Sequence, residues 1–404
     1  MSRRGTIALS LVIAALAATL AVAAWRLAKP PARVPPTMAV GEALGGSTAG
    51  FARALAPRPF VFPADHGPHS EFRTEWWYYT GNLLTADGRH FGFQLTFFRI
   101  GVAPSMVSRA SAWATREAYM AHFALTDTAG GRFSAASRLS RAALGLSGAQ
   151  AQPFKVWVED WSAEGVAGDA APVRLRAAEG DVAIDLTLAS VKPVVLQGER
   201  GLDTKGDEPG NASYYYSLTR MPATGRVTVR EAAFDVTGLA WMDREWSTSS
   251  LGAELVGWDW MAIQLDDGRD LMLYRLRRAD GSADRFSSGS LVEVDGTSRH
   301  LGLADVRIDV LETWSSPRDG TRYPSRWRVT VPAESLDLDV VPRLAEQELA
   351  LAVRYWEGAV RVAGRARGQP IAGAGYVELV GYARDSRTPR GATSAAVRSL
   401  AKLP

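Results

Sequence analysis

Beyond about residue 60 the chain alternates between apolar and polar positions. Val182–Leu188 (VAIDLTL), Arg226–Val229 (RVTV), Arg326–Val331 (RWRVTV) and Ala359–Val362 (AVRV) are examples. Alternation turns one face of a strand toward a core and the other toward water. Gly-containing turns break these runs at short intervals, which predicts a β-sandwich or barrel. Only Ser134–Gln150 and Arg343–Leu351 offer weak helical spacing.

The pattern repeats. WWYYTGNLLTADGRHFGFQLTFFR (residues 76–99) and WDWMAIQLDDGRDLMLYRLRR (residues 258–278) each read as an aromatic-led strand, an Asp-Gly-Arg turn and an apolar strand. Asp-Gly between alternating runs is a strong hairpin signal. A second echo pairs FDVTGLA (Phe234–Ala240) with VELVGYA (Val377–Ala383) in the same order. Two β units of one design are predicted, with the junction near Gly238–Trp241. Antiparallel units of this size, without crossover helices, close readily into barrels that can hold one small ligand.

The N-terminus differs. Arg3 and Arg4 precede an uncharged run from Gly5 to Trp25, long enough to cross a bilayer. Positive residues before such a run predict a cytoplasmic N-terminus and a translocated remainder. Residues 1–28 therefore read as a signal peptide or an anchor to the cytoplasmic membrane, and the mature protein as periplasmic or secreted. Residues 29–59, rich in Pro, Ala and Gly, read as a linker. The expected division is 60–240 for the first unit, 241–386 for the second and 387–404 for a tail.

Composition narrows the chemistry. The 404 residues are 47% apolar and 22% charged, with a net charge of +3 and both signs mixed throughout. This is a globular composition without a basic block, so no nucleic-acid partner is expected. Cysteine is absent, which excludes disulfides, thiolate metal sites and a cysteine nucleophile. No Gly-x-Ser-x-Gly elbow, P-loop or dinucleotide fingerprint occurs, and no cofactor is expected.

Candidate chemistry gathers where acids adjoin rings. In the segment beginning EWWYYTGNL, strand alternation puts Glu75, Trp77 and Tyr79 on one face and Trp76, Tyr78 and Thr80 on the other. In WMDREWS, Asp243 and Glu245 share a face opposite Met242, Arg244 and Trp246. Trp258 and Trp260 flank Asp259, and Tyr355 and Trp356 precede Glu357. A carboxylic acid in an apolar pocket stays protonated and can donate a proton. Aromatic faces stabilise a cation. Alternatively, Glu75 is a buried partner for Arg73, Arg99 or Arg244, and the rings are packing. Asp65, His66, His69 and Glu71 could ligate zinc if His122 approached, but Gly67-Pro68 suggests a turn and no HExxH helix supports a metal site.

Together FPADHGPHSEFRTEWWYYTGNL, GLAWMDREWSTS, GWDWMAIQLDDG and YWEGAVRVAG…GAGYVELVGY resemble the carotenoid 1,2-hydratase family, also called AttH-type and described as secreted hydrolases. The resemblance spans about Phe60 to Arg384. It implies an all-β protein of two tandem lipocalin-like barrels. It also implies an apolar ligand, isoprenoid, polyene or lipid, and addition of water across a carbon–carbon double bond. The hydratase branch carries His-Asp-His-Asn-Trp where this chain has Met242-Asp243-Arg244-Glu245-Trp246. Asp243 and Trp246 match. Both histidines are missing, and Arg244 cannot replace a titrating imidazole.

The expected site lies where the two motifs meet. Glu75, Asp243 and Glu245 are its candidate acids. Trp76, Trp77, Tyr78, Tyr79, Trp246, Trp258, Trp260 and Tyr355 are its candidate ligand-binding walls. A non-enzymatic envelope carrier and a metal-dependent hydrolase are the alternatives.

Overall fold

The computed structural model describes residues 47–105, 111–168, 170–249, 251–252 and 254–383. The expected leader 1–28, most of the linker and the tail 387–404 lie outside them. Among the described residues no helix is long and apolar enough to cross a membrane. The only helical elements described are three short 3-10 turns, at Ala64–His66, Leu303–Asp305 and Pro332–Glu334. The two weakly helical stretches are instead strands and turns. Residues 134–141 belong to a strand whose neighbours supply its hydrogen bonds, and this overrides a marginal helical pattern.

The first sheet has 13 strands. They are β1 (Thr74–Leu84), β2 (His90–Gly101), β3 (Glu117–Asp127), β4 (Arg132–Arg141), β5 (Ser147–Gln150), β6 (Lys155–Val158) and β7 (Trp161–Gly165). There follow β8 (Val173–Glu179), β9 (Val182–Leu188), β10 (Val195–Leu196), β11 (Leu202–Thr204), β12 (Ala212–Val229) and β13 (Ala232–Ser247). Their order is β4-β3-β2-β1-β13-β12-β9-β8-β7-β6-β5, with β10 and β11 pairing β12.

The second sheet has 10 strands. These are β14 (Leu255–Leu265), β15 (Asp270–Arg278), β16 (Ser288–Val292), β17 (Ser298–Gly302) and β18 (Arg307–Ser315). The rest are β19 (Arg322–Val331), β20 (Leu336–Pro342), β21 (Glu348–Ala350), β22 (Arg354–Ala366) and β23 (Gln369–Leu379). Their order is β17-β16-β15-β14-β23-β22-β20-β19-β18, with β21 on β22. Each sheet curls around its own apolar core, the architecture of tandem lipocalin-like barrels.

Both barrels open with the expected hairpin. Thr85 N–H bonds Arg89 O across Asp87-Gly88, and Leu265 N–H bonds Arg269 O across Asp267-Gly268. Gly88 and Gly268 have φ of +85° and +89°, where a Cβ would be strained. Both barrels also return their last long strand to their first, β13 on β1 and β23 on β14. The second echo pairs the correct strands in the wrong register. Gly238 lies opposite Leu83, four residues before Asp87, and Gly375 lies opposite Ile263, four before Asp267. Gly375, not Gly381, is thus the counterpart of Gly238.

Two expected boundaries shift. β13 stays in the first sheet through Ser247, so the division at 240/241 falls inside a strand and the change of sheet lies between Ser247 and Leu255. Nor are the last residues of the linker free. Ala52 N–H bonds Glu71 O, Tyr214 donates to Ala56 O, and Ala54 is buried in the first core. Both barrels fall within one compact unit. Their outer faces pack together through β1, β2, β12 and β13 on one side and β14, β15, β22 and β23 on the other.

Candidate functional site

Strand alternation decides which residues meet. In the β1–β13 ladder Glu75 lies opposite Trp246, Trp77 opposite Arg244 and Tyr79 opposite Met242. These face into the first barrel. Trp76 opposite Glu245 and Tyr78 opposite Asp243 face out, toward the second barrel. The two motifs do adjoin, but their acids occupy opposite faces of one sheet.

On the inner face Glu75 is wholly buried. Arg99 and Arg244 bond its two oxygens, and the His69 backbone N–H adds a bond of 3.0 Å. The His69 ring stacks on Trp246 with centroids 3.8 Å apart, and Arg244 lies 3.9 Å from the Trp77 ring centre. Burial alone would raise the Glu75 pKa. The charges of Arg99 and Arg244, with His69, outweigh it and hold the group well below the carboxylate range. Glu75 is therefore a fixed anion binding the Asp65–His69 turn to the barrel wall, not a proton donor to a cleft. Trp77, Tyr79 and Trp246 belong to the same buried core and do not line the cleft between the barrels. His69 bonds Asp65 and Glu75, and His66 bonds Tyr216. His122 faces the other way and bonds Tyr355. No cluster of three potential metal ligands occurs among the described residues.

On the outer face a cleft of about 150 Å³ lies between the barrels. Trp76, Tyr78, Phe98 and Tyr215 wall it from the first barrel, and Trp258, Trp260, Tyr274 and Tyr355 from the second. Five of the expected wall residues (Trp76, Tyr78, Trp258, Trp260 and Tyr355) thus share one space, with the expected acids Asp243 and Glu245.

Asp243 takes three short hydrogen bonds. Ser217 and Trp241 donate to Oδ1 at 2.5 and 2.7 Å, and Tyr215 donates to Oδ2 at 2.6 Å. Burial pushes its pKa up to about 7 against these three donors, and the Glu245 charge adds to the rise. Among the described residues no cation contacts it. Glu245 differs: Lys205 bonds it, and the lysine ammonium lies about 6 Å from the ring centres of Trp76, Tyr215 and Tyr274. Asp203, bonded by the Tyr274 hydroxyl at 2.8 Å, is pushed up to about 6 by burial. The sheet thus separates Glu75, salt-bridged inside the first barrel, from Asp243, held on the cleft by neutral donors.

Residues absent from the sequence-based site also stand on the cleft. Glu378 accepts the Trp258 indole N–H at 2.9 Å, and burial pushes it up to about 7. Tyr215, Lys205 and Tyr274 line the cleft too. Glu378 could have been found: in GYVELVGY it alternates with Val377 and Leu379, which marks a polar residue facing away from the core. Nothing local in the sequence distinguishes Tyr215 from its neighbours Tyr214 and Tyr216, which face inward.

The family model for AttH-like proteins matches residues 53–382. A solved structure of a protein assigned to AttH, from Nitrosomonas europaea, is 35% identical, with a TM-score of 0.72 over 81% of this chain and 100% of that one. Kievitone hydratase from Nectria haematococca shares the fold at 14% identity, with a TM-score of 0.61 over 82% of this chain and 96% of that one. CghA in complex with Sch210972 does so at 16% identity, with a TM-score of 0.52 over 86% and 99%. Comparison with curated proteins gives no match. The matched span takes in both barrels and the whole cleft between them, and on that basis the chain belongs to the AttH-like family.

Proposed function

We propose that the inter-barrel cleft binds an apolar, unsaturated molecule of isoprenoid or polyene type and hydrates one of its double bonds by acid catalysis. One observation carries this reading: Asp243, a buried carboxyl held by three neutral donors and pushed up to about 7, stands on a cleft that aromatic rings wall from both barrels. Hydrating an alkene needs a proton donor and shelter for a cation. Asp243 supplies its proton to one alkene carbon, and the π pair forms the new C–H bond. The other carbon becomes cationic among the faces of Trp76, Tyr215, Trp258 and Trp260, where ring quadrupoles stabilise it. A water oxygen then forms the C–O bond and gives up a proton, so the sum is alkene plus water to alcohol. The fold is shared with a protein named as a hydratase, which agrees with the reading. The missing histidines beside Asp243 matter less on this geometry. Positions 242 and 244 face the first barrel's core, and the Asp243 oxygens are held from β12 and by Trp241 instead.

The test pairs turnover with binding. Apolar molecules co-purifying from the native host are identified by mass spectrometry and offered back to the protein. Asp243→Asn keeps the shape of the side chain and removes the acid. It is expected to lower turnover by a factor of about 100 or more while binding changes little. Binding without any turnover in the unaltered protein would instead support a carrier, and unchanged turnover in Asp243→Asn would overturn the role of Asp243.

A further inference from the structure

Hydration needs a base as well as an acid, since the attacking water must lose a proton. Asp243 comes from the first barrel. The second barrel presents Glu378 of β23 to the same cleft, and the buried Glu357 of β22 is its opposed partner in an antiparallel ladder. Opposed side chains in such a pair have their Cβ atoms about 5 Å apart. Two carboxyls that close, in a buried setting, do not both ionise.

Their surroundings divide the labour. Glu357 is fully buried, and the Tyr78 hydroxyl donates to its Oε1 at 2.5 Å. Tyr355, also on the cleft, bonds the buried His122. The other oxygen of Glu357 has no protein partner. Among the described residues no cation contacts Glu357, and burial with the neighbouring Glu378 charge holds its pKa well above the carboxylate range. Glu378 is less enclosed and lines the cleft itself. Among the described residues, the titratable and charged groups facing the pair are Asp243 and Glu245 of β13, Lys205 beside β11, Tyr78 of β1, Tyr355 of β22 and Tyr376 of β23. The one cation among them, Lys205, is bonded to Glu245.

We infer that Glu378 and Glu357 form a second acid–base centre that shares one proton, with Glu357 keeping it and ionised Glu378 accepting the proton of the attacking water. This rests on the hydration reading and supplies its missing half. When the water oxygen bonds to the cationic carbon, its O–H pair stays on oxygen and the proton moves to Glu378. Asp243 is then ionised and Glu378 protonated, and proton exchange with solvent through the open cleft restores both. Each barrel contributes one partner, so neither alone holds a complete site.

Two measurements test this. Lycopene is incubated with the protein in D₂O, and both the hydrated product and deuterium in recovered lycopene are followed. Reversible protonation by Asp243 incorporates deuterium without needing a base for water. Glu378→Gln is expected to keep deuterium uptake and lose product about a hundredfold, with partial rescue by Glu378→Asp, whereas Asp243→Asn loses both. Equal product from Glu378→Gln and the unaltered protein would overturn the inference. Neither uptake nor product in the unaltered protein would overturn the hydration reading, and the catalytic role of the pair with it. The second measurement needs no substrate. Trp258 bonds Glu378, so the part of the tryptophan emission lost in Trp258→Phe is expected to titrate near neutral pH and to stop titrating in Glu378→Gln. Persistence of that transition in Glu378→Gln would overturn the assignment of the proton to this pair.

Discussion

Glu75 and Asp243 show at the scale of single residues how one sheet gives two carboxyls opposite fates. Both are buried, and in both burial favours the neutral acid. Glu75 has two guanidiniums within bonding distance and stays charged, whereas Asp243 has neutral donors only. Removing the Glu75 charge strands Arg99 and Arg244 in the core. Breaking such a buried pair costs about 3–5 kcal/mol. Glu75→Gln is expected to be destabilised by about that amount at pH 7 in urea unfolding. The pH dependence has a definite sign. With its folded pKa depressed, Glu75 contributes stability that is present above the unfolded value near 4.5 and is lost as pH falls through the folded value. The gap between the unaltered protein and Glu75→Gln should therefore narrow below about pH 4. A gap that stays constant into acid would contradict the ion-pair account.

Strand alternation is the device at the scale of elements. It sends Trp77, Tyr79, Arg244 and Trp246 inward and Trp76, Tyr78, Asp243 and Glu245 outward from the same two strands. The outward face must then lie close to another barrel without steric clash. Gly92 on β2 allows this, because a Cβ there would lie 2.5 Å from the Cβ of Ala359 on β22. Gly92→Ala is expected to cost about 1–3 kcal/mol by overpacking. Ala359→Gly in the same chain should recover much of it, giving a coupling energy that separates contact between the barrels from strand propensity. Additive effects of the two substitutions in denaturation would show that the barrels do not press together at this point.

The whole molecule is held by polar contacts that span both barrels. Asp270 of β15 is fully buried and takes Lys192 at 2.8 Å, Arg220 at 2.7 Å and the Thr219 hydroxyl at 2.9 Å, all from the first barrel. Gln264 of β14 donates to Thr219 O and Ala240 O, and Asn82 of β1 donates to Gly375 O. Such contacts couple the unfolding of one barrel to the other. Calorimetry is expected to show one transition for the unaltered protein. Asp270→Ala strands Lys192 and Arg220, and is expected to split that transition or lower it by about 3–5 kcal/mol. Two transitions in the unaltered protein would mean that the barrels are thermodynamically independent.

Local chemistry written into the chain was enough for part of this. Alternating runs, Asp-Gly turns needing positive φ and a repeated order of motifs specify a β fold built twice, because each depends on residues near one another. They also determine which side chains of a strand share a face, so Trp76 with Tyr78, and Asp243 with Glu245, were legible as pairs. Which face meets a core and which meets a neighbour is not local. It depends on how β1, β13 and β12 lie side by side and on what packs over them. Only the tertiary structure put Glu75 between two arginines, brought Tyr215 and Ser217 to Asp243, and set Glu378 on the same cleft beside the buried Glu357. The partners come from strands tens to hundreds of residues apart, and a carboxyl's charge is decided by those partners and not by its neighbours in sequence.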